Sequence, residues 1–148
     1  MIETPDAARL IDSVSALVEA ARRAGADAAD AVAVRSRSAG VSVRMGKVES
    51  TGSSESDDIS LRVFVGRKVA SVSATADSDA AALAERAIAM ARASPEDPYQ
   101  GLVDESLLAR GDVDLDIFDP TQIGADELRE AALEAAEAAP EPPEFVTP

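Results

Sequence analysis

Asp112, Asp114 and Asp116 alternate along the chain, the spacing at which carboxylates open a calcium-binding loop. Such a loop also needs glycine at its sixth position and glutamate at its twelfth. Counted from Asp112, those positions hold Ile117 and Ile123, so the triplet reads as a solvated acidic connector. Ser50, Ser53, Ser54 and Ser56 offer hydroxyls. A serine nucleophile, however, needs an adjacent base and commonly sits in a sharp Gly-x-Ser-x-Gly elbow. The chain has no histidine and no such elbow, so these read as loop serines. Gly66-Arg67-Lys68 sets two cations at a glycine turn, which suits an anion. No Gly-x-x-x-x-Gly-Lys or Gly-x-Gly-x-x-Gly pattern surrounds them, and the pair reads as a solubilising hairpin tip. No residue is assigned a catalytic, cofactor-binding or metal-binding role.

The missing residue types narrow the chemistry further. Without histidine the chain lacks the usual neutral-pH base and the commonest zinc ligand. Without cysteine it has no disulfide, thiol nucleophile or thiolate metal site, which fits a reducing compartment. The first residues lack the basic and apolar regions of a signal peptide, and no apolar run is long enough for a membrane span. The expected location is cytoplasmic, with no membrane partner. The net charge of −14 is uneven: residues 1–103 hold 15 acids and 12 bases, whereas residues 104–148 hold 13 acids and 2 bases. The first stretch is balanced like an ordinary globular domain. The second is an acidic tail or connector, and neither offers the basic face that nucleic acid requires.

Regular elements account for most of the first stretch. Thr4-Pro5-Asp6 is a helix start, with a hydroxyl cap, proline at the first helical position and an acid in the first turn. Leu10, Ile11, Val14, Leu17, Val18 and Ala21 then form one apolar stripe. Arg22-Arg23-Ala24-Gly25 closes the helix with bases and a glycine cap. A first strand is expected over 30–37, with Val32 and Val34 on one face and Ala31, Ala33 and Arg35 on the other. A second run follows at Val41–Met45, and Gly46 suits a two-residue type II′ hairpin into Val48. The polar stretch Ser50–Asp58 is either a long hairpin loop or a strand continuation. Ile59, Leu61, Val63 and Val65 alternate with Ser60, Arg62 and Phe64, giving the clearest strand, and Gly66-Arg67-Lys68 turns into Val69–Thr75.

Asp77-Ser78-Asp79 caps a second helix running to Ala93, with Leu83, Ala87, Ile88 and Ala91 on its inner stripe. Pro95 and Pro98 stop it. An extended connector follows from Gly101 to Ile123, then a third helix at Ala125–Ala138 whose large apolar groups are Leu128 and Leu133. Pro140–Pro148 is a proline-rich tail of the composition that stays disordered. The expected fold class is α+β: an antiparallel β-meander of about four strands from residues 30–75 with two helices on one face. The expected division is a domain over 1–100 and an acidic connector over 101–148.

In order, these segments resemble the N-terminal domain of the TldD/PmbA family, described as modulators of DNA gyrase that form a heterodimeric metalloprotease. The matching pieces are Ala24–Ala28, Val41–Glu49, Leu61–Lys68, Ala70–Asp77, Ser94–Leu102 and Asp114–Pro120. The last two resemble the PmbA (TldE) branch, and the likeness runs over residues 8–138. Met45-Gly46 departs from the Asn-Gly-like turn expected there, and the tail after Pro140 does not continue as the family's chains do. Family chains are much longer. The TldD branch's zinc motif, His-Glu-x-x-x-His, lies beyond this domain, and the PmbA branch lacks the ligands. The resemblance therefore implies a fragment or truncated product of a noncatalytic PmbA-like subunit. Zinc is expected only in a TldD-like partner, and peptide substrates would be met through the assembled complex. The alternative is a free-standing interaction module that uses an exposed sheet edge. Whether the reading frame continues beyond Pro148 discriminates between the two.

Overall fold

A computed structural model describes residues 5–111, 115 and 119–139; Thr4, the Asp112/Asp114/Asp116 triplet and residues 140–148 lie outside them. The elements are α1 (Pro5–Arg23), β1 (Ala28–Arg44), β2 (Lys47–Val65), β3 (Lys68–Thr75), α2 (Ala80–Ala93) and α3 (Ala125–Ala138). Among the described residues of the connector a 3-10 turn stands at Glu105–Leu107. The sheet is antiparallel with order β1-β2-β3. It therefore has three strands, not the expected four: the runs at 30–37 and 41–45 are one 17-residue strand. The polar stretch 50–58 belongs to β2. Cross-strand hydrogen bonds satisfy the backbone whether or not the side chains alternate, so the strands continue where the apolar pattern fails.

The chain divides into two compact units. The first comprises residues 1–36 and 56–112, the second 37–55 and 113–148. In the first unit, the register Ile59↔Ala74, Leu61↔Val72, Val63↔Ala70 places one face of β2 and β3 together. Ile59, Leu61, Val63, Ala70 and Val72 are buried on that face with Leu17, Ala20 and Ala21 of α1 and Ala84, Ala87, Ile88 and Ala91 of α2. The helices cover the sheet as the alternation requires, but the filling is small. Seven of the 14 buried apolar residues are alanines, which brings α1 and α2 close together. Val65 is only partly buried and Ile11 is exposed, so both stripes are shorter than their sequence patterns. On β1 the alanines point inward: Ala31 and Ala33 pack on the core, while Val32 and Val34 stay 58% and 50% exposed.

Both helices are ended and started as their caps specify. Gly25 has φ +102, and the Gly25 and Ala26 amides donate back to Arg22 and Ala21 at 3.1 and 3.0 Å, closing α1 in a Schellman turn. The Asp79 carboxylate accepts from the Ala82 amide at 2.8 Å at the start of α2. The first hairpin differs from expectation, and the second turns at Gly66-Arg67 as expected. At Met45-Gly46 both residues have positive φ, 50° and 71°, the type I′ pattern and not II′. At Gly66-Arg67 only Gly66 does, at 59°, which is the II′ pattern.

The second unit is the distal half of the β1–β2 hairpin with α3. Arg37 pairs with Glu55 at 3.3 Å, and the Ser38 and Ser54 hydroxyls are 2.8 Å apart. Glu127 accepts from the Gly124 amide at 2.9 Å, starting α3. Leu128, Ala132 and Leu133 of α3 are half-buried.

Candidate functional site

Asp57 is the most strongly perturbed ionisable group in the first unit. It lies on the inner face of β2, two residues before the buried Ile59, where the core gives way to solvent. Arg35 of β1 donates to both its carboxylate oxygens at 2.6 Å, and Arg9 of α1 also pairs with it. The fork geometry of Arg35 matches the carboxylate. Its hydrogen bonds come first in holding the Asp57 carboxyl down to about 2, and the charges of Arg35 and Arg9 add to them. Asp57 is 22% exposed and Arg35 24%. Two cations on one permanently ionised carboxylate leave neither a base nor an acid for chemistry near neutral pH. The cluster ties α1, β1 and β2 together at the end of the core.

A second tie lies at the opposite end of the unit. The Asp27 amide donates to Phe64 O at 2.9 Å, and the Asp27 carboxylate accepts from the Gly66 amide at 2.6 Å. Of the two cations of the Gly66 turn, read from sequence as a solubilising hairpin tip, Lys68 is used within the fold. Lys68 Nζ donates to Arg92 O at the end of α2 at 3.1 Å, where it answers the helix's negative terminus. The Arg67 carbonyl accepts from the Asp97 amide at 2.9 Å. On the outer face Arg62 stacks 5.3 Å over the Phe64 ring while bonding Asp30 at 3.1 Å. That bond raises the Arg62 pKa above its already high ordinary value. None of this could be read from spacing, because Asp27, Asp30 and Asp57 meet partners 22–48 residues away.

The serines read as loop residues stand in β2. Ser54 meets Ser38, and Ser50, Ser53 and Ser56 are exposed strand positions. In the second unit a groove of about 230 Å3 opens between Ala39, Gly40, Gly52 and Ser53 of the hairpin and Ala125 and Leu128 of α3. Its lining holds no titratable side chain. Among the described residues no group of three His, Cys, Asp or Glu side chains converges to hold a metal ion, and the chain has neither histidine nor cysteine. A zinc centre therefore does not fit the donors these residues provide. Every buried side-chain nitrogen or oxygen among them has a hydrogen-bond partner, and no helix among them is long and apolar enough to cross a membrane. What the first unit offers is a helix-on-sheet platform. The second offers a long hairpin with an exposed tip.

Comparison with known proteins places this arrangement. The family profile described as PmbA/TldA metallopeptidase domain 1 matches residues 29–91, from the start of β1 to the last turn of α2. A metalloprotease PmbA homolog of Haemophilus influenzae (strain ATCC 51907 / DSM 11121 / KW20 / Rd) is 32% identical over 133 residues, covering 88% of this chain and 29% of its own. Metalloprotease PmbA of Escherichia coli O157:H7 gives the same identity and coverage. The chain thus spans 29% of the length of the curated relatives it matches.

Proposed function

Because the chain belongs to the PmbA/TldD metallopeptidase family and carries its first domain, we propose that it serves a noncatalytic, PmbA-type subunit of a two-subunit zinc peptidase. Its part is assembly. It docks on a TldD-like subunit that supplies the zinc and helps enclose the space in which peptides are cut. The observation that carries this reading is the 133-residue alignment with two proteins named metalloprotease PmbA; within these 148 residues there is no histidine or cysteine to ligate zinc. Zinc hydrolysis needs such ligands, an open metal position and a base for the bound water. In this reading all three belong to the partner, and this chain's residues form the platform and its contacts. The cytoplasm fits a chain free of cysteine.

The test is assembly with a family member that carries the histidine zinc motif. The two proteins, mixed at equal concentration and resolved by size-exclusion chromatography with light scattering, are expected to elute as a one-to-one complex. Separate elution at tens of micromolar would remove the assembly reading and favour the sheet-edge interaction module.

A further inference from the structure

The sheet changes character at Asp58. Asp58↔Thr75 is the last pair between β2 and β3, so beyond it β1 and β2 run on as a two-stranded ribbon to the Met45-Gly46 turn. None of residues 37–55 is buried, and α3, which shares the second unit with them, has no buried residue either. A two-stranded ribbon without a buried face is marginal in water. Gly40 and Gly52 stand within it, with open space where a Cβ would lie, and glycine inside a strand weakens it. Its ion pairs, Arg37–Glu55 at 3.3 Å and Arg44–Glu49 at 3.7 Å, join exposed side chains and so add little.

At the root of this ribbon stands Asp57. Arg35 of β1 forks onto its carboxylate at 2.6 Å, and Arg9 reaches it from α1. Its carbonyl accepts from the Ala76 amide at 2.8 Å, just past the end of β3. One residue thus joins β1, α1 and the end of β3 where the third strand stops. Strand separation that starts in the ribbon must break this bidentate pair to go further, and two residues on it meets the buried Ile59. We propose that the ribbon over 37–55 opens and closes as a unit of its own while the three-stranded sheet stays folded, and that the Asp57 cluster is the stop at which this opening ends. Local opening draws on segments with few buried contacts, and here the sequence sets such a segment directly against an ionic clasp. The device is built from this chain's own residues and stands apart from the assembly reading.

Native-state hydrogen exchange of the 148-residue protein, followed by NMR in rising sub-denaturing urea, tests it. Paired amides within 37–55 are expected to exchange about tenfold or more faster than those of 59–65, with little dependence on urea, because their opening exposes little surface. Asp57→Asn should move the boundary inward: amides of 31–35 and 57–59 should lose about tenfold or more of their protection relative to those of 63–65. Arg35→Lys keeps the cation but not the fork, and should move the boundary the same way by about threefold. Asp30→Asn removes another ion pair between the same two strands, Asp30–Arg62, and should leave the boundary in place. Exchange of 37–55 and 59–65 at one common, urea-dependent rate in the wild type would overturn the independent opening. A wild-type boundary in folded Asp57→Asn or Arg35→Lys protein, or an equal shift in Asp30→Asn, would overturn the stop.

Discussion

At Asp57 the structure makes a claim about pH. Its carboxyl titrates at about 2 when folded, against an ordinary 3.8, so the folded state binds the proton less readily than the unfolded chain. The stabilisation from Arg35 and Arg9 is therefore fully present above 3.8 and is lost as pH falls through about 2. Asp57→Asn is expected to lower the melting temperature at pH 7 and to flatten the acid limb between those two values, read by circular dichroism melts across pH. An unchanged acid limb would show that the cluster is not formed in solution. Val63 makes the opposite kind of test. It is fully buried between β3 and the helices, and Val63→Asp would place an unpaired charge there. That cost is comparable with the whole stability of a typical domain, ~5–15 kcal/mol. The variant should be unfolded or insoluble; a soluble protein with native melting would reverse the facing of β2.

Turns and strand ends decide the elements. Gly66 holds φ 59° at the β2–β3 turn while its amide donates to Asp27. Gly66→Ala keeps the amide but adds a Cβ in the left-handed region, an expected loss of about 1 kcal/mol, seen as a lower urea midpoint with unchanged slope. No loss would mean that the turn relaxes to another type. The helices and β2–β3 were legible in the sequence because caps, glycines and a period of two coincide there. The continuity of β1 was not. Its stretch Ser36–Gly40 lies where the hairpin leaves the core, so backbone pairing survives without an apolar signal. The valines of β1 mislead for a related reason: the side of the strand facing the core carries alanine, so hydrophobicity alone points the wrong way. Turn type at Met45-Gly46 escaped because methionine is not a residue that announces a left-handed position. The ion cluster escaped because its members are far apart in sequence.

Across the whole molecule, charge and exposure divide the chain where the apolar pattern ends. Every residue from 99 to 111 is exposed, with Tyr99 at 94% and Leu107 at 75%, so a protease meets backbone there without opening the core. Limited subtilisin digestion should cut first beyond Gly101 and trypsin first at Arg110, each leaving the helix-on-sheet core whole; early cuts within 59–75 would contradict the helix-on-sheet assignment. The expectation that this chain carries no catalytic residue rests on missing residue types, whereas the family membership came from segments in order rather than from any chemistry those segments perform. The most direct test is hydrolysis of an unstructured peptide by the purified 148-residue protein, with zinc supplied and with a chelator in parallel. No turnover above the buffer rate is expected from this chain alone, with activity appearing when the zinc-bearing subunit is added. Chelator-sensitive cleavage by the isolated chain would contradict the noncatalytic proposal.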